Sequence, residues 1–295
     1  RRLPASQAPD GHWRRLRHTS LGWTARPGSH CTAGNGATRP IVHTVFVKIC
    51  GITREDDALL AVAMGADAVG FIFAPSKRQI APGVARDIAR RLPPEILTVG
   101  VFRDEAPSRV VDIVNTAGLR AAQLHGRESA DDTAWIAARV PNVIKTFGAT
   151  DPALARAAQY PAPVVMIDSP GGGTGEVFDW SLASANRPRG KRLLLAGGLN
   201  PDNVAAAIDQ VRPWGVDVAS GVESDRGEPG QKDARKVMAF VENARKAFEA
   251  LPDEEEFPAG PYDWMADEPL DEAFDGSVDG SVGGSVDALI DDGPA

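Results

Sequence analysis

Between residues 45 and 249, short runs rich in Val, Ile, Leu and Phe alternate with longer stretches whose apolar residues recur every three or four positions. The runs at 45–50, 68–73, 97–102, 121–125, 143–147, 164–168, 192–196 and 216–220 predict eight strands, spaced to leave room for one helix and two short loops each time. A doubly wound open sheet also alternates strand and helix, but eight even units in about 200 residues match the smallest closed (β/α)8 barrels. The expected fold is therefore a single (β/α)8 TIM barrel over 45–249.

Helix-boundary signals fit the same plan. Thr53 with Asp56 three positions on predicts a capping box, and Gly65 stands where that helix should stop. Asn200 followed by Pro201 predicts an N-cap with proline at the first helical position. Val237, Phe240, Val241, Ala244 and Phe248 form the core-facing stripe of the last helix.

Strand parity assigns directions. The outer face of a barrel strand must be apolar to receive helices, so Val45, Val47 and Ile49 point outward. Phe46, Lys48 and Cys50 then point inward, as do Gln123 with His125, Met166 with Asp168, and Asp217 with Ala219. Cys50, His125 and Asp168 all fall at carboxyl ends of strands, the mouth where barrel active sites are built. An enclosed Lys48 ammonium needs a counter-charge. Strand eight closes the barrel beside strand one, so its Asp217 is the predicted ion-pair partner.

Charge divides the chain into three. Residues 1–44 hold seven arginines and one acid, whereas 250–295 hold fourteen acids and no basic residue. With a net charge of −8, the middle is close to neutral, which reads as one domain between two disordered tails. The acidic end carries the repeat "DGSVDGSVGGSVD" and is low in apolar surface. The arginine-rich start has the composition of a transit peptide or a non-folding extension. Its arginines are scattered among Pro and Gly with no folded face to present them, which argues against a nucleic-acid partner. No apolar run approaches the roughly 20 residues of a membrane span. Two cysteines, Cys31 and Cys50, are too few for a disulfide framework and fit a reducing cytoplasm.

Several residues carry candidate chemistry. A lone strand cysteine is usually an inert small hydrophobe. Cys50 departs from that by its strand-exit position, the glycine after it and an acid across the barrel. A thiol of pKa about 8.5 is mostly protonated near neutrality, and the sequence alone does not say whether Lys48 lowers it. Asp168 ends "VVMID" ahead of the glycine-rich "SPGGGTGEVFDW", where a mobile flap could close over an acid or base. Gly197 and Gly198 in "AGGLN", with Ser220 and Gly221 in "ASGVE", follow strands seven and eight, where barrels bind phosphate through backbone N–H groups. Lys77 and Arg78 follow strand two; Arg78 is either a solvated base or a fork for a substrate carboxylate.

The motifs "VKICGIT", "GADAVGFIFAPSKR", "VGVF", "QLHG", "IDSPGGGTGEVFDW", "LLLAGGLNPDNV" and "VDVASGVE" with "KD" after it resemble, in order, those of the phosphoribosylanthranilate isomerase family of tryptophan biosynthesis. The likeness spans 45–249 and excludes both tails. It departs from the family at Ala196 and Ala219, where serine is frequent. It implies an Amadori rearrangement of a phosphorylated small molecule, with no cofactor and no metal. By resemblance Asp168 is the general acid that opens the ribose ring, Cys50 the general base at C2, and Arg78 the holder of the anthranilate carboxylate. His125, Gly197, Gly198, Ser220 and Gly221 complete the expected substrate contacts. The sugar isomerase of histidine biosynthesis performs the same rearrangement, but resembles a two-aspartate site where this chain has Cys50. A catalytically inert phosphate-binding scaffold is the reading from another class. The neutral core, without an evident apolar stripe, predicts a monomer.

Overall fold

The computed structural model describes residues 45–170 and 177–252. The expected tails (1–44 and most of 250–295) and the flap at 171–176 lie outside the described residues. Eight parallel strands close in sequence order into a barrel. They are β1 (Phe46–Cys50), β2 (Ala68–Ile72), β3 (Leu97–Phe102), β4 (Ala121–Leu124), β5 (Val143–Gly148), β6 (Val164–Asp168), β7 (Arg192–Leu195) and β8 (Gly215–Val218). The first four crossovers carry α1 (Glu55–Ala63), α2 (Pro82–Ala89), α3 (Pro107–Ala117) and α4 (Ala130–Ala137). A 3-10 segment at Pro152–Gln159 takes the fifth place, followed by α5 (Ser181–Ala185), α6 (Val204–Val211) and the closing α7 (Ala234–Glu249). The fifth crossover is thus tighter than the expected α-helix.

Two apolar clusters follow from strand parity. Val45, Val47, Ile49, Val69 and Phe71 pack outward with the helices. Phe46, Ala68, Leu97, Val99, Ala121, Ile144, Met166 and Leu194 fill the interior. Phe46 stacks on Trp214 with centroids 4.5 Å apart, which plugs the amino-terminal end of the barrel. A filled floor leaves the carboxyl ends of the strands as the open face.

Helix starts differ from the sequence expectation at two places. Thr53 does not cap α1: Arg54 takes that position in extended backbone without a side-chain cap, and Glu55, Asp56 and Asp57 meet the positive helix terminus instead. Thr53 faces Gly230 in the loop before α7. Asn200 also does not begin α6. Its Oδ1 accepts from the N–H groups of Asp202 and Asn203 at 2.9 and 3.1 Å, capping a separate turn three residues upstream. Asn203 is the residue before α6, and its Nδ2 donates to Gly198 O at 2.9 Å, which ties the β7 loop down. Two other expectations do match. Gly65 has φ of 91° just past α1, and Val237, Phe240, Val241 and Ala244 are the buried face of α7, with Phe248 partly buried against the core. Leu251 also packs on the core.

Candidate active site

The mouth is built outward from β1. Cys50 ends that strand with its side chain buried, and Lys48 sits one inward position below, fully enclosed. Gly70 pairs with Cys50 across β1 and β2. A methyl group there would lie 2.8 Å from Cys50 Sγ and 3.0 Å from Lys48 Nζ, so only glycine leaves both side chains their room. Lys48 Nζ lies 2.7 Å from Asp217 Oδ1, and the two residues are register partners across β1 and β8. The ion pair predicted from parity is present.

That pair sets the electrostatics of the thiol. Burial depresses the Lys48 ammonium, but Asp217 and then Cys50 outweigh it and hold Lys48 above its ordinary pKa. Burial pushes the Cys50 thiol up; Lys48 pulls it back part of the way and Asp217 opposes that pull. The net result lies above the ordinary thiol value. Lys48 softens the desolvation of Cys50 without reversing it, because Asp217 already engages its charge.

Beside Cys50 lies a second ionic group. Arg78 crosses Gly51, whose φ of 74° and missing Cβ allow the guanidinium stem to pass close to the backbone. Its fork grips Glu223 at the exit of β8, through Nε to Oε1 and through Nη2 to Oε2 at 3.1 Å. Lys232, buried, donates to Glu223 Oε1 at 3.3 Å and to Ala219 O at 3.0 Å. Burial raises the Glu223 carboxyl, yet Arg78 and Lys232 bring it below the usual range. Lys232 goes the other way: burial lowers it, with Glu223 and Cys50 restoring part of the loss. Lys77, by contrast, is exposed. Glu223 and Lys232 lie in the "ASGVE" and "KD" motifs, whose spacing does not reveal that Arg78 and Lys232 both converge on Glu223.

Across the mouth Asp168 ends β6. Its Oδ1 accepts from Ser169 N–H at 2.7 Å, and its Oδ2 lies 3.1 Å from His125 Nε2. Gly197 allows that corner: a Cβ there would lie 2.5 Å from Ser169 N and 3.0 Å from Asp168 Oδ1. The loop carrying His125 is held from outside the barrel by a buried pair, Lys145 Nζ to Glu128 Oε2 at 2.7 Å, with Lys145 also donating to Gly126 O at 2.7 Å. Gly197 and Gly198 have φ of 90° and 67°, and Gly221 packs against the Leu199 carbonyl so closely that any side chain would collide. The loops after β7 and β8 therefore touch, with Ser220 exposed on the rim. All eight expected site residues lie at the carboxyl ends of the strands.

A closed parallel barrel whose mouth gathers a buried thiol, a carboxyl beside an imidazole, and glycine turns after β7 and β8 defines a (β/α)8-barrel enzyme. The family model for N-(5'-phosphoribosyl)anthranilate isomerase matches residues 47–243. The chain belongs to that family. It is 51% identical over 213 residues to the N-(5'-phosphoribosyl)anthranilate isomerase of Desulforudis audaxviator, covering 69% of this chain and 99% of the relative. A solved phosphoribosyl anthranilate isomerase in complex with reduced 1-(o-carboxyphenylamino)-1-deoxyribulose 5-phosphate is 45% identical, with a TM-score of 0.62 over 68% of this chain and 99% of that one. Monomers generated from the dimeric enzyme of Thermotoga maritima are 44% identical, with a TM-score of 0.61 over 68% and 99% of the two chains.

Proposed function

We propose that this barrel converts N-(5-phosphoribosyl)anthranilate to 1-(2-carboxyphenylamino)-1-deoxyribulose 5-phosphate, the isomerisation of tryptophan biosynthesis, with Asp168 as general acid and Cys50 as general base. The observation that carries the reading is that these two groups stand on β1 and β6, on separate sides of one mouth, so that an acid and a base can address different faces of a sugar between them. Asp168 Oδ2 gives its proton to the ribose ring oxygen. The C1–O bond breaks as the anilinic nitrogen pair forms the C1=N iminium. Cys50, as thiolate, takes the C2 proton, and the electron pair left behind makes an enolamine that tautomerises to the ketone. Lys48 and Lys232 are the cations that favour that thiolate against burial.

The contacts assigned to the rest of the site follow. Arg78 turns the edge not engaged by Glu223 toward the anthranilate carboxylate, His125 borders the sugar, and Gly197, Gly198, Ser220 and Gly221 receive the phosphate with backbone N–H groups. No cofactor and no metal enter this chemistry. A cytoplasmic location and a monomeric state belong to the same proposal. Among the described residues no helix is long and apolar enough to cross a membrane, and light scattering of the purified chain decides between a monomer and a dimer like that of the Thermotoga maritima relative.

The test is turnover of substrate generated in situ, followed by the fall of anthranilate fluorescence with indole-glycerol phosphate synthase drawing product away. Cys50→Ala and Asp168→Asn should each lower kcat by about 10²-fold or more, the usual contribution of a positioned acid or base, while substrate still binds. Near-wild-type turnover in either variant removes that residue from its role.

A further inference from the structure

We infer that Gln123 and His125 form a donor chain behind Asp168, fixing its carboxyl and meeting the negative charge it acquires when its proton leaves. The inference rests on the reading of Asp168 as the acid. Gln123 points into the barrel from β4 and is 1% exposed. Its Nε2 faces His125 Nδ1 at 3.2 Å, Thr146 Oγ1 at 3.3 Å and Met166 Sδ at 3.3 Å. Its Oε1 is buried with no hydrogen-bond partner. An unpaired buried amide oxygen destabilises the interior, and an apolar side chain of equal length would avoid that loss. The glutamine is therefore placed for what its N–H does.

What it does is choose a tautomer. An N–H donated to Nδ1 leaves a neutral imidazole with its proton on Nε2. Nε2 lies 3.1 Å from Asp168 Oδ2, while Oδ1 already accepts from Ser169 N–H at 2.7 Å. With the transferable proton on Oδ2, a lone pair of that oxygen still accepts from His125 Nε2–H. When the Oδ2–H bond breaks, the proton goes to the substrate ring oxygen and the electron pair stays on Oδ2. Both carboxylate oxygens then face donors that were in place beforehand, His125 Nε2–H and Ser169 N–H. Charge that develops during reaction is stabilised most by donors that need not reorganise. His125 keeps its own proton throughout. Gln123 and His125 are positioning residues, acting through Asp168.

The tautomer is read by nitrogen-15 NMR of the full chain with labelled histidine. His125 is the one histidine in residues 45–252, and its signals are assigned by their loss in His125→Asn. A neutral ring protonated at Nε2 is expected in the wild type, with the Nδ1–H form appearing in Gln123→Met. Gln123→Met should also lower kcat about tenfold with KM little changed, the pattern of an interaction realised in the transition state, while Tm holds or rises. A wild-type ring protonated at Nδ1, meaning an amide turned so that Oε1 accepts from it, overturns the inference. So does an unchanged kcat in Gln123→Met. Full turnover in Asp168→Asn would instead remove the acid itself; lost turnover there with unimpaired Gln123→Met removes only the chain behind it.

Discussion

Asparagine in place of Asp217 removes one charge and keeps the shape, so it isolates what the buried pair contributes. Lys48 is wholly enclosed, and its Nζ lies 2.7 Å from the carboxylate. Without Asp217 the ammonium keeps its desolvation and loses its counter-charge, a change that typically costs about 3–5 kcal/mol. In a folded unit of some 200 residues each kcal/mol moves Tm by about 2–4 °C, so calorimetry should show a fall of roughly 6–20 °C. The pH dependence is the sharper signature. In the wild type the folded pKa of Lys48 is raised, so its contribution is fully present below the unfolded value of about 10.4 and is lost only as pH rises through the higher folded value. In the variant, burial acts without Asp217 and pulls the folded pKa below the unfolded one. The unfolded variant then binds more protons than the folded one through that window, and its stability rises with pH. The Tm difference should be widest near neutrality and narrow toward the unfolded lysine value of about 10.4. An equal difference across that range, or none at neutrality, refutes the argument.

Gly70→Ala places a methyl 2.8 Å from Cys50 Sγ and 3.0 Å from Lys48 Nζ, and should cost about 1–3 kcal/mol by overpacking and lower kcat. Gly83→Ala, with open space around it, is the control, and equal melting of the two variants contradicts the reading. Arg78→Lys cannot keep the two-point grip on Glu223 or offer a planar edge to a carboxylate. KM should rise more than kcat falls, and unchanged steady-state constants would return Arg78 to a structural role. A chain trimmed to residues 45–252 should keep its Tm and kcat/KM, because every assigned residue lies inside it. A loss of about tenfold or more in kcat/KM would give the terminal segments a part in function.

Much of the barrel was legible in the chain because strand parity and element alternation are local properties. Val47 and Ile49 had to point outward to meet helices, so Lys48 and Cys50 had to point inward. Closure beside strand eight then left Asp217 as the partner of Lys48. The strand-exit positions of Cys50, His125 and Asp168 follow from the same period of two. Tertiary structure decided whatever depends on distances between distant segments. Thr53 and Asn200 carry the right chemistry for helix caps, yet Arg54 and Asn203 stand at the starts of the two helices. The place of Arg78 after strand two leaves open a solvated base or a fork for a carboxylate; the exit of β8 brings Glu223 into that fork. The pKa of Cys50 turns on a balance of burial, Lys48 and Asp217 that no spacing encodes. The sequence marks Gln123 only as an inward residue, because its contacts with Thr146 and Met166, and the approach of His125 to Asp168, depend on other strands.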